Sequence, residues 1–94
     1  MRMIQEYPLV FNTQPQTFSI QGFDEVLKVG LNPTGNMSVW VSADPNASGQ
    51  PTQITFQMVE AGQPVPNIGT YIGSDTIKPD PLQGTEHTMF VWSS

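Results

Sequence analysis

Apolar and polar residues alternate with a period of two along much of the chain. In Thr17 to Gln21, Phe18 and Ile20 fall on one side and Ser19 and Gln21 on the other; in Gln53 to Val59, Ile54, Phe56 and Met58 alternate with Thr55 and Gln57. Successive side chains of a strand point to opposite faces, so this period predicts half-buried strands. Nine prolines and eight glycines are spread through the 94 residues, and any helix of more than a few turns would have to avoid them. The stretch from Glu25 to Pro45 carries the strongest local signal. Leu27, Val29 and Leu31 are expected to share one face, and Asn32-Pro33-Thr34-Gly35 then supplies Asn, Pro and Gly at the turn positions that suit them. A strand over 36–43 should return antiparallel. Further strands are expected near Met3 to Tyr7, continuing past Pro8 only as an edge, and near Thr17 to Gln21, Val26 to Leu31, Gln53 to Val59, Thr70 to Gly73 and Glu86 to Ser93. About seven short strands predict an all-β fold, a compact antiparallel β-sandwich or a small barrel.

The length makes residues 1–94 a single domain, because so short a chain cannot divide its apolar residues between two cores. At this size burial roughly balances the ordering cost of about 1.5 kcal/mol per residue, and self-association is expected to help. The absence of cysteine excludes disulfides and thiolate metal sites. Eight carboxylates against three Lys and Arg give a formal charge of −5, which opposes an extended nucleic-acid track or an anionic membrane surface. The start, Met1 to Val10, lacks the apolar run of a secretion signal, and the expected setting is cytoplasmic.

Two tryptophans raise a problem of shelter. If Met37, Val39, Val41 and Ala43 face the core, Trp40 points the other way between Ser38 and Ser42. In the last strand Met89 and Val91 oppose Phe90 and Trp92. Leaving an indole fully wet forfeits about 2 kcal/mol, so either the face taken as outer is itself the core, or a loop, a partner or a ligand should cover each. Trp40, Trp92 and Tyr71 are therefore the candidate contact residues, with Lys28 adding a charge if it shares their face.

The connection Glu60 to Asp75 holds Gly62, Gly69 and Gly73 around Pro64 and Pro66. It has no phosphate-loop pattern, yet its backbone could approach an anion, so Gly62, Gln63, Gly69 and Gly73 join the candidates beside the plainer reading of a stiff connection. Asp44 to Gly49 resembles the front of a calcium loop, but its twelfth position is Thr55, which is no carboxylate, and a turn is the simpler reading. His87 is the sole histidine, and its neighbour Glu86 lies on the opposite face of the strand. An orienting acid would have to come from elsewhere. No catalytic residue, metal ligand or cofactor is assigned.

The ordered pieces Glu6-Tyr7-Pro8-Leu9, Glu25 to Leu31, Val39 to Pro45, Ala61 to Pro66, Tyr71-Ile72-Gly73 and Phe90-Val91-Trp92 resemble a family of short proteins encoded chiefly by bacteriophages and prophages. Gln63 stands where those proteins often carry histidine, and the insertion Ile77 to Gly84 departs from their pattern. The resemblance implies an all-β fold and a phage setting. In that setting the expected role is a non-enzymatic, oligomeric binding protein in the host cytoplasm that sequesters a host protein or a small defence signal such as a nucleotide. The alternative is a structural virion accessory or decoration protein.

Overall fold

The computed structural model describes residues 1–67, 69–77 and 86–94. Seven strands form two antiparallel sheets: β1 Met3–Pro8, β2 Gln16–Ile20, β3 Phe23–Leu31, β4 Met37–Ala43, β5 Thr52–Glu60, β6 Thr70–Ile77 and β7 His87–Ser93. One sheet has the order β1-β4-β3 and the other β2-β5-β7-β6. The arrangement is a sandwich, and most expected strands lie within a few residues of their predicted bounds. The expected loop over Ile77 to Gly84 falls mainly on 78–84, outside the described residues.

Alternation builds the core as expected. Val39, Val41 and Ala43 of β4, Phe56 and Met58 of β5 and Val91 of β7 are all fully enclosed, and Ile20, Ile54, Met37 and Met89 join them. Each large aliphatic or aromatic side chain so placed contributes about 1.5–3 kcal/mol relative to exposure. Phe18 closes the side where β1 and β2 end their sheets. Its ring lies 5.2 Å from Tyr7 and 5.9 Å from Phe56, both tilted. Pro8 sits at the end of β1, an edge strand, where its missing N–H breaks no inner ladder.

The β3–β4 turn forms as its residues require. Gly35 N–H donates to Asn32 C=O at 2.9 Å, Gly35 takes φ 87°, and the Asn32 side-chain oxygen accepts from the backbone of both Thr34 and Asn36.

Two strands depart from expectation. Register shifts in β3 between Phe23 and Glu25 and between Val26 and Lys28 leave Asp24 and Leu27 without partners on β4. Phe23, Val26, Val29 and Leu31 consequently pack against the core, while Leu27, expected inside, is exposed. Strand β6 runs four residues beyond the expected end at Gly73. Gly73, Ser74 and Asp75 read locally as turn formers, but here Gly73 and Asp75 serve a contact with β3. A Cβ on Gly73 would stand 3.1 Å from Val29 Cβ, and Asp75 Oδ2 accepts the Leu31 backbone N–H at 2.9 Å. This contact joins the two sheets along one side.

Candidate functional site

Three strands of the smaller sheet place Glu6, Trp40 and Lys28 in one row, because Trp40 is paired with Glu6 on β1 and with Lys28 on β3. Partners in register share a face, so all three lie outside the sandwich, opposite Val39 and Val41. Trp40 is half-buried. The Lys28 ammonium stands 5.0 Å from the centre of its ring, close enough for a cation–π contact. On the other flank the Glu6 carboxylate accepts from Ser38 Oγ at 2.6 Å and Asn32 Nδ2 at 3.0 Å. The Ser38 bond, followed by the Asn32 bond, holds the Glu6 carboxyl below its ordinary value of 4.5. Ile4 and Leu27, both exposed, complete the rim of a broad groove of about 770 Å³ over this row. The arrangement offers an aromatic floor, one cation, one fixed anion and two wet aliphatic side chains.

Trp92 occupies the outer face of the other sheet, on the far side of the sandwich from Trp40. Tyr71 pairs with it across β6 and β7, the ring centres 5.2 Å apart in an edge-on arrangement, and Phe90 lies 6.3 Å from Tyr71. The predicted contact residues therefore divide into two groups: Trp40 with Lys28, and Trp92 with Tyr71. Each indole is partly covered from within the chain, one by a lysine and one by a tyrosine that is itself 48% exposed.

The glycine-bearing connection has structural work at each candidate position. Gly62 adopts φ 94° in a turn in which Gln63 N–H donates to Glu60 C=O at 3.1 Å. The Gln63 side-chain oxygen accepts the Glu60 backbone N–H at 2.7 Å. Gly69 passes so close to the end of β7 that a Cβ there would collide with the Ser93 carbonyl oxygen. Gly73 makes room for Val29, as above. These contacts support the stiff connection over a ligand cradle.

The sequence model of a family described as Domain of unknown function (DUF7352) matches residues 1–91. The chain belongs to the DUF7352 family. No curated protein and no solved structure matches it.

In this DUF7352 chain the sandwich also brings together groups whose pairing is invisible in the sequence. Glu60, at the end of β5, places Oε2 2.6 Å from His87 Nδ1 at the start of β7. The partner of the sole histidine is thus a residue 27 positions away, and only the β5–β7 register reveals it. The Asp44 to Gly49 segment forms a turn: Asp44 Oδ1 accepts from Asn46 N–H at 3.0 Å and Asp44 C=O from Ala47 N–H at 3.1 Å. Among the described residues no cluster of three or more His, Asp and Glu side chains gathers as a metal site would require.

Proposed function

We propose that this protein is a non-enzymatic binding protein that engages a host protein through the outer face of the β1-β4-β3 sheet, in the phage setting that the sequence resemblance implies. The observation that carries this reading is the row Glu6–Trp40–Lys28, flanked by exposed Ile4 and Leu27. An aromatic anchor in an open groove, rimmed by charges of both signs, matches the composition of protein contact surfaces. A nucleotide suits the face less well. Lys28 already lies over the indole where a base would stack, and Glu6 stands beside it as a carboxylate that would repel phosphate. The Tyr71–Trp92 pair on the opposite side offers a second face for self-association.

Affinity capture from infected host cells tests the reading. The wild-type chain should retain one defined host protein, Trp40→Ala should weaken that complex at least about tenfold, and Trp92→Ala should leave it intact. Equal capture by wild type and Trp40→Ala would remove this face from consideration. Recovery of the chain only with assembled particles would favour the virion accessory role instead.

A further inference from the structure

At the end of the sandwich beside the β3–β4 turn lies a second cavity, a cleft of about 480 Å³, within the range of about 300–1,000 Å³ common for small-ligand sites. Its floor is apolar: Leu9, Met37, Met58 and Ile77 are each less than a tenth exposed. Its rim carries His87 and Phe11, the latter 57% exposed and set edge-on to the imidazole at 6.1 Å. An aromatic left this wet beside an apolar cleft lacks a contact that a flat apolar body in the cleft would supply.

The polar chemistry of the cleft follows from one hydrogen bond. A carboxylate has no hydrogen to donate, so in the Glu60–His87 contact Nδ1 carries the proton. In the neutral form of the ring the lone pair lies on Nε2, the remaining nitrogen of the one imidazole that lines the cleft, while Glu60 itself lies outside the lining. The geometry points to a site for a small planar aromatic molecule bearing one N–H or O–H donor, its body between Phe11 and the apolar floor at Leu9 and Ile77 and its hydrogen on His87 Nε2. This site is separate from the Trp40 face and stands or falls independently of it.

Indole and benzofuran have nearly the same shape, but only indole carries an N–H. Titration of the full ¹⁵N-labelled chain with each should give, for indole, amide shifts at His87, Met58 and Phe11 with millimolar-range affinity. Benzofuran should bind the same cleft roughly 2- to 10-fold more weakly, the factor expected for one neutral hydrogen bond. His87→Phe should bring the two probes to equal affinity. Equal binding of both probes to the wild-type chain, shifts gathered around Trp40 or Trp92 instead, or no shift at those three amides would each overturn the assignment. If His87→Phe does not fold, the wild-type comparison decides alone.

Discussion

The contact between β3 and β6 predicts a large effect from one surface-edge carboxylate. Asp75 accepts the Leu31 N–H at 2.9 Å and the Thr76 N–H at 2.8 Å. Strand β3 ends its own sheet, so the Leu31 donor has no ladder partner on that side. Asp75→Ala leaves it orphaned in a partly buried place, at a cost of about 1–3 kcal/mol. Taking about 2 kcal/mol, and about 4–8 °C per kcal/mol for a domain of this size, Tm should fall by roughly 8–16 °C. Asp75→Asn, which keeps an acceptor oxygen, should lose about half as much. Gly30 supplies an internal check, since a Cβ there would sit 3.1 Å from Asp75 Oδ2. Gly30→Ala should therefore destabilise the wild-type chain by crowding the carboxylate, yet be neutral or stabilising by up to about 1 kcal/mol when Asp75 is already alanine. Urea unfolding of the four chains of this cycle measures both quantities. An Asp75→Ala change within about 0.5 kcal/mol of wild type, or the same cost for Gly30→Ala in both backgrounds, would refute the argument.

Three other outcomes are expected. Gly69→Ala should prevent stable folding, because its Cβ would collide with the Ser93 carbonyl, whereas Gly62→Ala, at a left-handed position with open space around it, should cost only about 1–2 kcal/mol; thermal melts compare them. Glu6, whose folded-state pKa is depressed by Ser38 and Asn32, contributes stability that is present above the unfolded value near 4.5 and lost as pH falls through the lower folded value; Glu6→Gln should flatten that acid-side decline in a pH series of urea midpoints. Lys28→Ala should reduce folding stability by no more than about 1 kcal/mol, the scale of an exposed cation–π contact, so any larger loss of host-protein binding by this variant reports the interface and not the fold.

Legibility followed the range of the interactions. The β3–β4 turn was readable because Asn32, Pro33 and Gly35 dictate it within four residues, and the inward faces of β4, β5 and β7 because no inserted residue shifts the phase of those strands. The phase of β3 was not readable, since a bulge is an inserted residue and an apolar one, Leu27, continues the expected pattern into the wrong face. Gly73-Ser74-Asp75 mimicked a strand end because the contacts of Gly73 and Asp75 lie on another sheet. In the candidate site, the outward direction of Trp40 followed from Val39 and Val41, but its division from Trp92 depended on strand order. The Glu60–His87 pair depended on the β5–β7 register, which no local pattern encodes.

The slip at Leu27 separates what folds this chain from what it shows to others. Removing that one residue would leave Val26 inside, Lys28 outside and Val29 inside in unbroken succession, so the shortened strand is expected to keep its ladder to β4. The same excision strips an aliphatic side chain from beside the indole of Trp40. A single-codon deletion should therefore alter the outer face of this sheet while keeping its architecture, a change of length that would separate the proposed contact surface from the fold beneath it.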